Sequence, residues 1–259
     1  MTMLSRPKMV VFDYGQTLLS EGSFDGVAGS RALMRYAQAN PHGYTPQEVQ
    51  AQAEAVNRDL GRELPYDHPM RQMELTNLAF NRYLYESLEI TFSLAPQELE
   101  EIFWDAAAPA EPTRNILPLL EWLYREGIPT GVFSNISLSE EVLVRRLRRL
   151  LPNHHFCWIL ASSAYLFRKP HPRAFGLITA KAGCKPEEIW YCGDNPVCDV
   201  EGAAAWGIFP VWYRGASRSE GGAVPRISAE RYLEIGDWQE LIDLLESERV
   251  VWSSEALVR

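Results

Sequence analysis

Five short apolar runs recur along the chain, and each closes on a small or polar residue: KMVVFD at 8–13, IPTGVFSN at 128–135, FCWILASS at 156–163, EIWYCGD at 188–194 and GIFPVWY at 207–213. Runs of this length without polar alternation fit strands buried on both faces, and helical patterns lie between them. SLSEEVL (137–143) offers a serine cap with glutamates behind it, HPRAFGLITAKAG (171–183) ends at a glycine, and CKPEEI begins a new turn at Pro186. The alternation predicts a doubly wound, mainly parallel α/β sheet, closed by a last amphipathic helix in IGDWQELIDLLESE. RGASRSEGGAVPR (214–226) reads as a Gly/Ser loop, and nothing after Ser247 receives an element.

More than a hundred residues separate the first two predicted strands, and they carry almost no strand signal. Helical periodicity runs through Val27 to Ala39, Pro46 to Leu60, Met70 to Leu88 and Pro96 to Ala107. Thr45 is a capping residue, with Pro46 at the first helical position and Glu48 three residues on. The insertion leaves after DYGQTLLSEG and returns near AAAPAEPTRN, both with the composition of a hinge. The expected division is an α/β core of residues 1–19 and 109–259 and a helical domain of residues 20–108, placed as a movable lid over the first strand.

Charge removes some function classes. The net charge of −9 supplies no basic excess for a phosphate backbone, so nucleic acid is not an expected partner. No apolar run approaches the ~18 residues of a membrane span, and MTMLSRPKMVVFD is too short for a signal peptide. A soluble, cytoplasmic setting is expected, and oligomeric state is not legible. Cys157, Cys184, Cys192 and Cys198 form no C-x-x-C pair and read as buried free thiols. In EEVLVRRLRRLL, Arg145, Arg146, Arg148 and Arg149 read as the solvated face of a helix with an apolar stripe beneath.

Parallel sheets bind ligands outside the carboxyl ends of their strands. The residues falling there are Asp13, Ser134, Asn135, and Asp194 with Asp199 five residues later, while Lys169 comes from the loop FRKPHPRAF. Singly, each has a structural reading as a turn, a cap or a solvated lysine. Together they are carboxylates, a hydroxyl, backbone N–H groups and an ammonium converging on one place. Lys169 is also one of only four lysines among 25 basic residues, so a compact point charge is used sparingly here.

In this order, DYGQT (Asp13, Thr17), FSN (Ser134), RKP (Lys169) and GDNPVCD (Asp194, Asp199) resemble the four motifs of the haloacid dehalogenase (HAD) superfamily. The long helical insertion resembles that family's cap. The resemblance implies a Rossmannoid core and Mg²⁺-dependent phosphoryl transfer from a small phosphorylated molecule, with Asp13 as the nucleophile that forms an aspartyl-phosphate. It implies a magnesium ion held by Asp13, the Gly15 carbonyl and Asp194. Ser134, Asn135 and Thr17 would contact substrate, Lys169 would offset charge, and Asp199 would orient Lys169 or a water on the metal.

The family carries a second aspartate where this chain has Gly15. A glycine keeps the carbonyl and loses the side chain that protonates the leaving group, a function worth roughly 10²–10⁴ in rate. The readings are therefore a slow or leaving-group-selective hydrolase, one whose acid comes from the cap, a carbon–halogen hydrolase, or a phosphate- or metabolite-binding protein. His42 and His68 are the histidines of the insertion, and both read as turn or surface residues. A phosphonatase-like reaction, which needs a cap lysine to form a Schiff base, is disfavoured because no lysine lies between Ser20 and Ala110. Retention of Asp194 weighs against halide chemistry without a metal, where it would be an unpaired charge.

Overall fold

The computed structural model describes residues 4–216, 227–247 and 250–251. Strand β1 (Leu4–Ser5) precedes β2 (Met9–Phe12), and β3 (Leu19–Glu21) leads into α1 (Gly26–Met34), β4 (Ala37–Ala39), α2 (Pro46–Asp59), α3 (Asn77–Ser87), β5 (Thr91–Phe92) and α4 (Pro96–Ala107). The chain returns through β6 (Ala110–Pro112), α5 (Ile116–Arg125), β7 (Thr130–Ser134), α6 (Glu140–Leu150), β8 (Trp158–Ala161) and α7 (Pro172–Ala182). It ends with β9 (Ile189–Gly193), α8 (Gly202–Trp206), β10 (Phe209–Tyr213), β11 (Leu233–Ile235), α9 (Trp238–Glu246) and β12 (Val250–Val251).

All five apolar runs are strands of one parallel sheet, ordered β11-β10-β9-β2-β7-β8. Alternate residues of β2 part to opposite faces, as the period of a strand requires. Val10 and Phe12 join Leu119, Leu123, Trp238 and Leu241 from α5 and α9, while Met9 and Val11 join Phe175, Ile178 and Ala203 from α7 and α8. This two-sided burial is why the runs carry no polar alternation. The central strand lies between β9 and β7, with Phe12 opposite both Cys192 and Val132, so three strand ends open side by side.

The inserted helices pack around their own cluster, including Leu33, Val49, Leu84, Leu88, Ile90 and Leu99. Their two stems form an antiparallel ribbon in which Leu19 faces Pro112 and Glu21 faces Ala110. The Thr113 hydroxyl donates to the Thr17 carbonyl at 2.7 Å, fixing the ribbon to the sheet.

Several expectations change. Ala37–Ala39 is a strand paired with β5 rather than the end of a helix. The helix expected from Met70 begins only at Asn77, capped by Thr76, because Glu74 is drawn into the α/β layer by Arg168 and Ser162. Strand β11 escaped notice because its three residues, Leu-Glu-Ile, occupy a sheet edge and leave no apolar run. Val250–Val251, given no element from sequence, pairs in parallel with β1. Most of the Gly/Ser segment, residues 217–226, lies outside the described residues. Cys192 and Cys198 are buried, whereas Cys184 is half-buried and Cys157 exposed, since Cys157 enters the edge strand β8.

The arginine-rich helix α6 is not solvated throughout. Arg145 and Arg149 face outward to Glu101 and Asp105 of α4, but Arg146 is 2% exposed. Position 146 follows Val142 by one helical repeat and so falls on the apolar side, where Asp105, the Ala108 carbonyl and the Tyr14 hydroxyl receive its guanidinium.

Candidate active site

The turns after β2, β7 and β9 bring Asp13, Ser134, Asn135 and Asp194 to the rim of one cavity of about 270 Å³, which Gly15, Lys169 and Asp199 also line. Lys169 lines it with a side chain that is 1% exposed. Its Nζ donates to Asp13 Oδ1 at 2.7 Å, to Asp199 Oδ1 at 2.7 Å and to the Tyr191 hydroxyl at 2.5 Å. The Tyr191 hydroxyl in turn donates to the Phe133 carbonyl at 2.8 Å, so all partners of the ammonium are fixed.

The loop carrying Lys169 is held by a side chain for which sequence reasoning gave another part. Asn135 Nδ2 donates to the Lys169 carbonyl at 2.8 Å, and the Lys169 N–H donates to Asn135 Oδ1 at 2.7 Å. This paired clasp leaves the Asn135 backbone at the cavity. Asp199 is equally committed, taking the Asn195 N–H on Oδ2 at 2.9 Å while Oδ1 serves Lys169. Gly193 makes that approach possible, because a Cβ there would stand 2.3 Å from Asp199 Cγ.

The cavity is lined by more acidic than basic side chains. Burial, together with Asp199 and against Lys169, raises Asp13 to about 6. Burial, followed by repulsion from Asp199 and Asp13, raises Asp194 to about 8. For Lys169 burial opposes the charge, but Asp13 and Asp199 outweigh it and hold the ammonium well above the ordinary lysine range. Asp13, Asp194 and Asp199 offer oxygens that lie within 4.8 Å of one another. Hard oxygen donors in this number fit a magnesium-type cation; Asp199 is occupied on both oxygens and Asp13 on Oδ1, so Asp194 and the second oxygen of Asp13 could hold it.

One sequence expectation, a substrate contact from Thr17, has another place, whereas His42 and His68 are the turn and surface residues expected. Thr17 is fully buried beneath the turn and does not line the cavity, because the chain has already bent back toward β3; its carbonyl serves the stem contact with Thr113. His42 is beside Glu89 at 3.5 Å and His68 accepts the Met70 N–H as a turn cap, both away from the cavity.

Sequence reasoning missed a second set of residues. Glu21, Trp104, Tyr66 and Arg168 also line the cavity. Arg168 donates to Glu74 at 2.7 Å, and Glu74, whose side chain is fully buried, also receives Arg62 at 2.9 Å. Glu21 Oε1 accepts the Tyr14 hydroxyl at 2.8 Å, while Arg146 Nε donates to that hydroxyl at 2.8 Å. Burial raises the Glu21 carboxyl above its ordinary range, with Tyr14 and Arg146 opposing. They come from separate parts of the chain: Glu21 from β3, Tyr66 from the segment between α2 and α3, Trp104 from α4 and Arg168 from the loop that carries Lys169.

The sequence profile of the haloacid dehalogenase-like hydrolases matches residues 7–207. A phosphoserine phosphatase of Thermus thermophilus is 38% identical over 88 residues, covering 34% of this chain and 33% of that protein. The match thus spans about a third of that relative's length. A glyceraldehyde 3-phosphate phosphatase of Pyrococcus furiosus is 25% identical over 228 residues, 84% of this chain and 85% of the relative. Among solved structures, a HAD phosphatase from Thermococcus onnurineus superposes with a TM-score of 0.60 at 23% identity over 93% of this chain and 99% of that one. A 2-haloacid dehalogenase from Pseudomonas syringae pv. Tomato DC3000 gives 0.61 at 20% identity over 94% and 98%, so the fold alone is shared by both named activities. With the matched profile spanning most of the sequence and the strand-end carboxylates in place, the chain belongs to the haloacid dehalogenase-like hydrolases.

Proposed function

We propose that this protein is a magnesium-dependent phosphatase of small phosphorylated molecules, working through an aspartyl-phosphate on Asp13, with residues 20–108 as its cap. The observation carrying this reading is the buried cluster in which Lys169 bridges Asp13 and Asp199 at 2.7 Å and Asp194 adds a third carboxylate within 4.8 Å. Such an excess of acid suits a site built for a cation and a phosphoryl group together. Phosphatases among the relatives support the substrate class.

Asp13 Oδ attacks phosphorus in line with the leaving oxygen, and Lys169 stabilises charge on the carboxylate and the transferring group. Ser134 and the Asn135 backbone N–H take phosphate oxygens at the end of β7. Asp199 positions Lys169 from behind. Asp13, Asp194 and the Gly15 carbonyl would hold a magnesium ion, whose chemistry there would be to offset the negative charge of a bound phosphoryl group. Retention of Asp194 beside Asp13 favours this reading over carbon–halogen hydrolysis, which has no phosphate charge to offset.

The test is phosphate release from small phosphate monoesters by purified protein. Release that needs Mg²⁺ and disappears in Asp13→Asn supports an enzyme; tight phosphate binding with no release by the wild-type protein makes it a binding protein instead.

A further inference from the structure

We propose that Glu21 is the general acid and base of this site, its carboxylate standing where a side chain at position 15 would otherwise reach. The proposal rests on the phosphatase reading above and names the group that moves the proton. A Cβ built on Gly15 would lie 3.2 Å from Glu21 Oε2. The volume that residue 15 leaves vacant is therefore bounded by an acid delivered from another element, the last residue of β3. Glu21 lines the same cavity as Asp13, Lys169 and Asp194.

Both neighbours of Gly15 clasp this glutamate. Tyr14 donates its hydroxyl to Glu21 Oε1 at 2.8 Å, and Gln16 Nε2 donates to the Glu21 carbonyl at 2.9 Å. Gln16 does so from a left-handed backbone conformation, φ 53°, which a glutamine adopts only when its surroundings hold it there. Arg146, itself buried, fixes the Tyr14 hydroxyl from α6. Antiparallel pairing of Glu21 with Ala110 sets the backbone from the opposite stem. With its backbone held by Gln16 and Ala110 and its carboxylate by Tyr14, Glu21 has the fixed geometry that proton transfer needs; Oε1 is engaged with Tyr14 while Oε2 is turned to the vacant side of Gly15.

In the first half-reaction the Asp13 carboxylate bonds to phosphorus, the ester P–O bond breaks, and the Glu21 carboxyl gives its proton to the departing oxygen, leaving an alcohol and a Glu21 carboxylate. In the second, Glu21 takes a proton from water, whose oxygen bonds to phosphorus as the P–O bond to Asp13 breaks. Inorganic phosphate leaves, and both carboxyl groups return to their starting states.

The experiment compares wild type, Glu21→Gln and the double variant Glu21→Gln/Gly15→Asp on an alkyl phosphate, glycerol phosphate, and on p-nitrophenyl phosphate, with a thermal melt of each protein. Glu21→Gln should lose roughly 10²–10⁴ in kcat on the alkyl ester, whose leaving group needs a proton. On p-nitrophenyl phosphate it should release one equivalent of p-nitrophenolate in a burst and then turn over slowly, because the leaving group departs unaided and dephosphorylation stalls. Restoring a carboxylate from the other side, through Gly15→Asp, should recover at least about tenfold of the lost alkyl-ester turnover. A merely structural role for Glu21 would give neither burst nor rescue. Alkyl-ester kcat within about threefold of wild type in a folded Glu21→Gln, or equal losses on both substrates without a burst, would overturn the proposal. Failure of the double variant to regain turnover, in a protein whose melt matches wild type, overturns it also. If the wild-type protein hydrolyses neither ester, the phosphatase reading itself falls and takes this inference with it.

Discussion

Lys169→Met removes a buried ammonium that lies 2.7 Å from Asp13 and 2.7 Å from Asp199. Each contact carries about 6 kcal/mol of Coulomb attraction at an effective dielectric near 20, most of it opposed by the cost of burying the charges. What remains when one partner is deleted is the stranded charge of the others, typically 3–5 kcal/mol. Methionine keeps the length of the lysine stem, so the packing beside Tyr191 changes little. For a protein of this size about 2–4 °C is lost per kcal/mol, giving a fall of roughly 6–20 °C in the metal-free melting temperature. Circular dichroism melts with and without Mg²⁺ are the assay. Magnesium should recover a larger share of stability in the variant than in wild type, because it becomes the counter-charge for Asp13. A fall below about 2 °C would refute the reasoning, since the ammonium would then not be holding the carboxylates together.

Further predictions concern pH, the helical layer and the metal. Asp13 at about 6 and Asp194 at about 8 lie above the ordinary aspartate value, so the folded metal-free protein binds protons that the unfolded chain has already released. Its stability should therefore fall as pH rises from about 4 through 8, and the melting-temperature gain from Mg²⁺ should be larger near pH 9 than near pH 5. An equal gain at both ends would contradict this. Glu74→Ala strands Arg62 and Arg168 over the α/β layer and should cost about 3–5 kcal/mol in urea unfolding, against less than about 1 kcal/mol for Glu86→Ala, whose partner Arg82 is exposed. Asp194→Asn removes one proposed cation ligand and should weaken Mg²⁺ binding in calorimetry by at least about tenfold while leaving the fold intact. Unchanged affinity would remove Asp194 from the metal.

Much of this arrangement is written locally in the chain. Two-sided burial gives β2, β7, β9 and β10 uninterrupted apolar runs, and a chemistry-bearing residue follows directly from three of those ends. Asp13, Ser134, Lys169, Asp194 and Asp199 could thus be named without coordinates. Glu21 could not, because it lies in LLSEG with no periodic neighbour and gains its position only when β3 pairs with β6. Arg146 was hidden in a run of like residues, where only its spacing from Val142 separates it from Arg145 and Arg149. The clasp of Asn135 on the Lys169 backbone joins residues 34 apart in sequence, a contact that composition and motif do not encode.

The central claim is that Asp13 carries the phosphoryl group between the two half-reactions. Rapid acid quench of the protein during turnover with Mg²⁺ and p-nitrophenyl phosphate, followed by mass spectrometry of the peptide containing Asp13, tests it most directly. The account predicts one added phosphoryl group on that peptide in wild type, a higher fraction in Glu21→Gln, and none in Asp13→Asn. Phosphate release without any modified Asp13 peptide, or the same modification persisting in Asp13→Asn, would contradict it.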